Sequence, residues 1–566
     1  MSESVRARPL LPIALTLVVL LALGLAASTW STFDQTWDEP EHLAAGLSLL
    51  DRGQYVYDIQ HPPLARLALA LGPYLAGARS QGKPPPDGKP EGLAILYGSG
   101  HYAEYLTLAR AGALPFLALL VVMTYVWGRT VLGPWGALVG AAFAATTPVI
   151  LGHGALATLD VPAAATCLLA LYATLRWLET GRWRAALWLG LALGLAFGTK
   201  LSALPFCGIG ALVLLLLRRW EREGRADAAP PVPPATWVGG AALAALGIGA
   251  VLTLAYGGRF VYLTDQTHKF NQALWWLFGD RGTLHDWAYS LFAQVRVPQA
   301  LQWYLGGIEA VTVHNDTGHL SYLLGEERLN GWWYFYLVAL AAKTPLPLQV
   351  LGVAGLLMLV RDGWRERDAR RLALPAIFVA LMSFASAFSH INIGVRHVIV
   401  LYPLLAIGAA YTLVQERAER LRSPGRLRNL LVAAVLGALV LMQATTLWRA
   451  WPDYLAYFNV LVADPEHVVV DSDLDWGQDL KRLIARLHAL GVPSVALAYS
   501  GSADLAREGL PPYQLLKPDE RASGWVAVSA LARAEAPRHF DWLAPYQPRE
   551  RVGKTIDLYF IPPPAP

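Results

Sequence analysis

A cluster of acidic residues and a histidine follows the first apolar segment of the chain. Residues 36–42 read Thr-Trp-Asp-Glu-Pro-Glu-His, so three carboxylates and the imidazole of His42 fall within five residues. Carboxylates beside a membrane are costly unless they have partners or a function. Glu39 and His42 also have the i, i+3 spacing of metal ligands in helix bundles. The alternative is a charged helix start, with Asp38 as N-cap and Pro40 in the first turn. This segment alone leaves both interpretations open.

Further candidates are spread along the chain, and all of them except the first-loop residue His61 are predicted at the end of an apolar segment. His61 precedes two prolines, which form a rigid turn that fixes the direction of the imidazole. Three cations suited to binding a phosphate are Lys200, Lys343 and Arg396, the last of which is followed by His397. Asp160 opens another segment. The alternatives are snorkelling of the cations to lipid headgroups and an N-cap role for Asp160.

The composition indicates the elements that must position these residues. Of 566 residues, 55% are hydrophobic and only 16% are charged, with a net charge of +4. Soluble proteins carry about 25% charged residues, so a soluble multidomain enzyme and a disordered chain are both excluded. Two cysteines exclude a disulfide scaffold. No basic face with interleaved aromatic residues is present, so we predict no nucleic-acid partner. The chain is predicted to be a polytopic α-helical membrane protein.

We predict about eleven membrane-spanning helices, because each needs roughly 20 mostly apolar residues. They lie near residues 9–29, 106–127, 134–151, 161–177, 185–200, 202–217, 237–256, 344–360, 372–389, 397–414 and 429–448. Arginine clusters occur at every second connection, among them Arg6 and Arg8, Arg182 and Arg184, and Arg361 to Arg371. The positive-inside rule assigns these connections and the N-terminus to the cytoplasm. A signal peptide cleaved near Ala26-Ala27-Ser28 is the alternative for the first span.

The connections on the other side are long and rich in aromatic residues. We predict a transmembrane domain over residues 1–450, with extracytoplasmic loops at 30–105 and 257–343. The tail over 451–566 is predicted to be a small extracytoplasmic α/β domain, with a helix over 481–490 and a strand over 494–499. The location expected for such a chain is the plasma (inner) membrane.

Several motifs resemble those of one enzyme family. The Asp38-Glu39 pair and the His61-Pro62-Pro63 turn in one loop are similar to the protein O-mannosyltransferases and their bacterial relatives, including the lipid A aminoarabinose transferases. These are membrane glycosyltransferases of the GT-C fold. Arg66 stands where the eukaryotic members carry a lysine. Further resemblance is found at Gly152–Asp160, Gly198–Lys200, Gly331–Tyr336, Lys343–Pro345, Gly394–His397 and Asp471–Leu480.

This resemblance implies the transfer, with inversion, of a sugar from a polyprenyl phosphate to an acceptor hydroxyl. Asp38 would be the general base, and Glu39 would orient the acceptor or raise the basicity of Asp38. Lys200, Arg396, Lys343, His61 and His397 would bind the donor phosphate, and His42 and Asp160 would contact substrate. No cofactor is required in the family's mannosyltransferases. Other members of the fold bind a divalent cation, for which Asp38, Glu39 and Asp160 would supply oxygen ligands to Mg²⁺ or Mn²⁺.

Two other functions fit the same composition. A transporter or flippase of polyprenyl-linked sugars would carry charged residues in the middle of its spans, whereas here they gather at span ends. A structural subunit that has kept the fold without the activity would not need Asp38 and its neighbours. The expected partners are a polyprenyl-phosphate sugar, the lipid bilayer and an acceptor that is a lipid, a glycan or a protein. Neither the sugar nor the acceptor is predicted by the sequence.

Overall fold

The computed structural model describes residues 10–224, 234–262, 286–287, 290–291, 293–422, 426–517 and 520–563. The predictions that involve Arg6 and Arg8 therefore lie outside the described residues. The chain is mostly helical, with three small sheets among the described residues.

The predicted polytopic helical fold is confirmed. Eight helices of the described chain are long and apolar enough to cross a membrane. The helices in the membrane-spanning part are α1 Leu10–Ala27, α6 Leu114–Ala145, the short α7 Pro148–Gly154, α8 Asp160–Thr180, α9 Trp183–Thr199, α10 Ala203–Glu223, α11 Pro234–Ala255, α14 Leu346–Glu366, α15 Ala369–Phe388, α16 Leu401–Arg422 and α17 Arg426–Ala450.

Helix α6 includes parts of two predicted spans, and its backbone breaks between them. Gly133 has φ 69° and ψ 179°, which only glycine adopts readily, and Pro134 follows it. The second arm, residues 134–145, is about 18 Å long at 1.5 Å per residue, which is too short to cross a bilayer alone. The predicted count of eleven spans therefore stays a prediction.

The spans alternate between two ends of the bundle. At one end, the arginine-bearing connections pack together: Arg222 donates to the Leu178 carbonyl at 3.1 Å, and Arg370 pairs with Glu179 at 2.5 Å. The first loop and the tail lie at the opposite end. The predicted grouping of basic connections on one side agrees with this arrangement, and the assignment of that side to the cytoplasm stays a prediction.

The first loop is a set of short helices that hold the acidic motif. They are α2 Glu39–Leu47, α3 Pro63–Leu75, α4 Lys89–Gly98 and α5 Tyr102–Ala111. Helix α3 begins at the second proline of the histidine-proline-proline turn, where a missing backbone N–H costs nothing. Helices α2 and α3 cross at Gly46, where a Cβ atom would lie 2.2 Å from the Arg66 carbonyl oxygen. This close crossing places the acidic motif beside the histidine turn.

The described part of the long connection between α11 and α14 contains two pairs of strands and two helices. Their bounds are β1 Phe260–Tyr262, β2 Arg296–Pro298, α12 Gln299–Thr317, β3 Ser321–Leu323, β4 Glu326–Arg328 and α13 Phe335–Lys343. Both strand pairs are antiparallel. Helix α12 lies against the first loop, where Gly307 would bring a Cβ atom within 2.6 Å of the Ile59 carbonyl oxygen.

The tail folds as a small α/β unit around a five-stranded sheet. Its strands are β5 Val495–Ala498, β6 Tyr513–Leu515, β7 Gly524–Ser529, β8 Glu550–Val552 and β9 Ile556–Ile561, in the order β6-β5-β7-β9-β8. Strand β5 is parallel to β6 and β7, and β9 is antiparallel to β7 and β8. Helix Leu480–Ala489 and strand β5 lie where the sequence predicts a helix and a strand. All four residues of β5 are buried, because the sheet is covered on both faces.

The tail docks on the first loop through backbone hydrogen bonds. The Asp34 amide donates to the Gln478 carbonyl at 3.0 Å, and the Trp37 amide donates to the Trp476 carbonyl at 3.1 Å. Ser502 Oγ donates to the Thr36 carbonyl at 3.1 Å. Residues from the two ends of the chain therefore form one wall next to the acidic motif.

Small residues allow neighbouring spans to pack closely, which we expect to be required for stability. In α14, a Cβ atom on Gly355 would lie 1.7 Å from the Gly408 carbonyl oxygen of α16. Gly355→Ala should therefore lower the free energy of unfolding by about 1–3 kcal/mol, measured as thermal denaturation in detergent. Gly437→Ala is the matched control, because no atom lies within 4 Å of the added Cβ atom. Equal melting of the two variants would contradict this interhelical contact.

Candidate active site

A cavity of about 840 Å³ lies between the first loop, the ends of several spans and the tail. This volume is within the range of small-molecule sites, which is about 300–1,000 Å³. Its polar part is lined by Asp38, Glu41, His42, Asp58, His61, Asp160, Lys200, Arg396, His397, Asp471 and Glu535. Its apolar part is lined by α10, α12 and α15 through Leu204, Pro205, Phe206, Ile308, Val311, Phe384 and Phe388. One continuous space thus joins a charged end to an apolar groove between the membrane helices α10 and α15 and the loop helix α12.

Asp38 faces this cavity from the start of helix α2. It occupies the N-cap position, yet its side chain makes no capping hydrogen bond. Instead, Arg396 Nη1 donates to Asp38 Oδ2 at 2.7 Å, and 24% of the Asp38 side chain is exposed. The carboxylate is therefore oriented by a cation and reachable from the cavity, which is the arrangement that a general base needs.

Two cations and a second carboxylate complete the charged end. Lys200 Nζ donates to Asp160 Oδ1 at 2.6 Å, and Arg396 Nη1 lies 3.9 Å from Asp160 Oδ2. Burial alone would lower the pKa of Arg396, but Asp38 and Asp160 outweigh it and raise that pKa above its ordinary value. The guanidinium therefore stays charged. Its Nε atom is buried without a hydrogen-bond partner, which leaves one donor for a ligand.

Aromatic and histidine rings surround these charges. The Arg396 guanidinium lies over the Trp476 ring, 4.3 Å from its centroid. Burial lowers the pKa of His61 to about 4, and burial together with Arg66 lowers the pKa of His42 well below its ordinary value. Both imidazoles are therefore neutral at pH 7 and act as hydrogen-bonding groups. His397 Nδ1 lies 3.2 Å from the Tyr336 hydroxyl, which fixes the ring at the cavity wall.

Two predicted site residues do not face the cavity. Glu39 is buried behind it and pairs with Arg110 through both carboxylate oxygens, at 2.8 and 2.9 Å. It also accepts hydrogen bonds from the Thr36 and Ala157 amides at 2.8 Å. Burial alone would raise the pKa of Glu39, but Arg110 overrides it and lowers that pKa. Glu39 therefore holds the loop in place, which corrects the predicted role of orienting the acceptor.

Lys343 is the second residue whose predicted role, binding of the donor phosphate, is corrected by the structure. Its ammonium group is buried and donates to the carbonyls of Leu455, at 2.8 Å, and Asp473. Burial lowers the pKa of Lys343 to about 8. The side chain joins helix α13 to the tail and does not reach the space where a donor phosphate would lie. The sequence showed a lysine at a span end but not the direction of its side chain.

Several cavity residues were not predicted as site residues. Glu41 lies one helical turn after Asp38, which is the signal that could have identified it. Asp58 forms an ion pair with the fully buried Arg66. The tail contributes Asp471, Trp476 and Glu535. No short-range pattern connects these tail residues to the first loop, because only the fold brings them together.

The proposed metal ligands Asp38, Glu39 and Asp160 do not fit a shared ion. The carboxylate of Glu39 is taken by Arg110, and those of Asp38 and Asp160 are each bound by a cationic side chain. Among the residues that the structure describes, no group of three histidine, cysteine or acidic residues is arranged to hold a metal. We therefore derive no catalytic step through a metal.

The two acidic neighbours at the start of α2 should contribute differently to stability. Glu39→Gln leaves Arg110 buried without a counter-charge, so we expect a loss of about 3–5 kcal/mol in the free energy of unfolding. Asp38→Asn should lower the free energy of unfolding by less, because Arg396 still has the Asp160 carboxylate nearby and borders the cavity. Thermal denaturation of both variants in detergent measures the difference. A Glu39→Gln variant as stable as Asp38→Asn would show that the buried pair is not structural.

A central stretch of the chain is similar to a known protein family. Residues 108–248 match the family model described as dolichyl-phosphate-mannose-protein mannosyltransferase. This stretch includes Asp160 and Lys200 but not the first-loop residue Asp38. Among curated proteins, no sequence match is found.

Three solved structures are similar to this chain at low identity. The S. cerevisiae protein O-mannosyltransferase Pmt1-Pmt2 complex bound to the sugar donor is 21% identical, with a TM-score of 0.33, over 43% of this chain and 33% of that chain. ArnT from Cupriavidus metallidurans in the apo state is 14% identical, with a TM-score of 0.46, over 96% of this chain and 97% of that chain.

The third structure is the apo form of the Archaeoglobus fulgidus oligosaccharyltransferase. It is 15% identical, with a TM-score of 0.41, over 84% of this chain and 57% of that chain. This chain thus spans a third of the yeast protein and just over half of the archaeal one. The family match agrees with the resemblance predicted from the sequence motifs, and residues 108–248 of this membrane protein are similar to the dolichyl-phosphate-mannose-protein mannosyltransferases.

Proposed function

We propose that the protein is an inverting glycosyltransferase that moves a sugar from a polyprenyl-phosphate donor to an acceptor hydroxyl. The observation that carries this proposal is the cavity itself. Its charged end, with Asp38, Lys200 and Arg396, opens into the apolar groove formed by α10, α12 and α15. A ligand that fills both parts needs an anionic head and a long apolar tail, which a polyprenyl phosphate has. The description of the matched family, which names a dolichyl-phosphate-linked mannose, supports the same class of donor.

The geometry suggests how the transfer proceeds. Asp38 takes the proton of the acceptor hydroxyl while the acceptor oxygen attacks the anomeric carbon. The bond from that carbon to the phosphate oxygen breaks on the opposite face, and the configuration inverts. Lys200 and Arg396 stabilise the negative charge that develops on the phosphate, and the buried Arg396 Nε offers a further donor. Polyprenyl phosphate leaves along the apolar groove.

The proposal includes the side of the membrane. The site lies at the end of the bundle opposite the arginine-bearing connections. By the positive-inside rule, the site and the tail then face away from the cytoplasm, in the plasma (inner) membrane. The acceptor is a hydroxyl of a lipid, a glycan or a protein. The charged residues of the site lie at the ends of spans: Asp160, Lys200 and Arg396. This position supports chemistry at the membrane surface, because a flippase would carry its charges in the middle of the membrane.

The first test supplies labelled polyprenyl-phosphate sugars to membranes with the wild type or Asp38→Asn at equal abundance. We expect the wild type alone to release polyprenyl phosphate and label an acceptor, with Asp38→Asn reduced at least about 100-fold, as for loss of a general base. Mass analysis of the product identifies the acceptor. Equal turnover by both forms would remove Asp38 as the base. Movement of the donor across the bilayer without turnover would favour the flippase.

A second test concerns divalent cations. Because Lys200 and Arg396 already supply positive charge next to Asp38 and Asp160, we expect turnover to persist when EDTA is present. The measurement compares initial rates in EDTA, in EDTA with excess Mg²⁺, and in EDTA with excess Mn²⁺. Loss of activity in EDTA that either ion restores would contradict this expectation and would require a metal site other than Asp38, Glu39 and Asp160.

A further inference from the structure

The connection that carries Arg396 is bound by a segment of the tail. This connection joins helices α15 and α16 at the cavity. Ser472 Oγ donates to the Ile393 carbonyl at 2.6 Å, and both carboxylate oxygens of Asp473 accept from the Val395 amide at 3.1 Å. Two consecutive tail residues therefore bind the backbone that directly precedes Arg396.

The contact leaves the connection little room to move. Gly394 lies between the two bound positions, and a Cβ atom there would lie 2.3 Å from Ser472 Oγ. Val395 is fully buried and begins a short 3-10 helix, so its amide has no acceptor within that helix. Asp473 is 1% exposed and supplies this acceptor. Without the carboxylate a buried N–H group would be unpaired, which is unfavourable, so we expect the connection to shift.

The position of this backbone determines where the Arg396 side chain lies. Its guanidinium donates to Asp38 Oδ2 at 2.7 Å and lies over the ring of Trp476, which belongs to the same tail segment. Because Arg396 directly follows Val395, a shift of the connection would disturb both contacts. Asp473 is not among the described residues that line the large cavity. It can therefore affect a ligand there only through other residues.

We propose that Asp473 is a positioning residue, which holds the Arg396 connection so that the guanidinium lies where a donor phosphate binds. The proposal rests on the proposed function, in which Arg396 binds that phosphate, and it adds a tail residue to the phosphate site. The alternative role for Asp473 is to neutralise the buried Lys343. The Lys343 ammonium group donates to the carbonyl of Asp473, whereas the carboxylate accepts from Val395, which favours the positioning role.

The test measures the binding of undecaprenyl phosphate to the purified full-length protein in detergent. Arg396→Ala should weaken binding about 10- to 100-fold, as for the loss of a charged donor, and Asp473→Ala about five- to tenfold, as for one lost hydrogen bond. In protein that already carries Arg396→Ala, adding Asp473→Ala should change the affinity less than about twofold. The two effects are not additive if Asp473 acts through Arg396.

Two milder variants keep the test decisive if Asp473→Ala does not fold, which thermal denaturation reveals. Asp473→Asn removes the charge but keeps an acceptor oxygen for the Val395 amide, so it should bind within about threefold of the wild type. Ser472→Ala removes only the hydrogen bond to Ile393 and should weaken binding about two- to fivefold, again only when Arg396 is present. A loss in Asp473→Asn as large as that in Asp473→Ala or in Arg396→Ala would instead support the counter-charge role and overturn the proposal.

Asp479→Asn is the matched control for a general loss of tail stability. Asp479 is also a buried carboxylate of the tail, but it accepts from the Lys554 amide at 2.9 Å and the Thr555 hydroxyl at 3.0 Å, within the tail itself. This variant should melt at a lower temperature than the wild type and bind undecaprenyl phosphate as the wild type does.

Three results would overturn the proposal while leaving the proposed function intact. They are unchanged binding by a folded Asp473→Ala variant, a loss of equal size with and without Arg396, and an equal loss in Asp479→Asn. Failure of the wild type to bind undecaprenyl phosphate, or wild-type affinity in Arg396→Ala, would overturn the phosphate site of the proposed function as well.

Discussion

The structure depends on one constraint, which is that charge beside a membrane needs a counter-charge. Removing an ion from water costs several kcal/mol unless a partner compensates for it. The acidic residues of the first loop meet this requirement in two ways. Glu39 is fully buried and satisfied by Arg110, so it serves the fold. Asp38 is held by Arg396 at the cavity wall and stays accessible, so it is available for chemistry. Two adjacent carboxylates thus acquire different roles from the position of their arginines.

The same pairing explains why the charged end of the cavity and its apolar groove can lie next to each other. Asp160 opens helix α8, Lys200 ends helix α9, and Arg396 lies in the short connection between α15 and α16. Together with Asp38, which pairs with Arg396, these side chains balance two positive charges with two negative ones, so apolar walls can lie next to them. An amphipathic ligand can bind there without forcing an unpaired charge towards the lipid.

Periodicity and motif spacing predicted much of the architecture but not the direction of every side chain. The apolar segments, the helix before strand β5 and the clustering of Asp38, His61, Lys200 and Arg396 were all accessible from the sequence, since each depends on local pattern or on which end of a span a residue occupies. The orientations of Glu39 and Lys343 were not, because they depend on partners more than 70 residues away along the chain. The break at Gly133 lies in the link predicted between the spans near 106–127 and 134–151, where a glycine followed by a proline interrupts the helix.

Docking of the tail on the first loop has a consequence for the order of synthesis. The acidic motif leaves the ribosome before Trp476, which supports the Arg396 guanidinium and follows Asp38 by more than 400 residues. A nascent chain can insert most of its spans and still have no wall opposite Asp38. The cavity is therefore complete only after the tail has reached the same side of the membrane as the first loop. A partly inserted chain thus has no complete site.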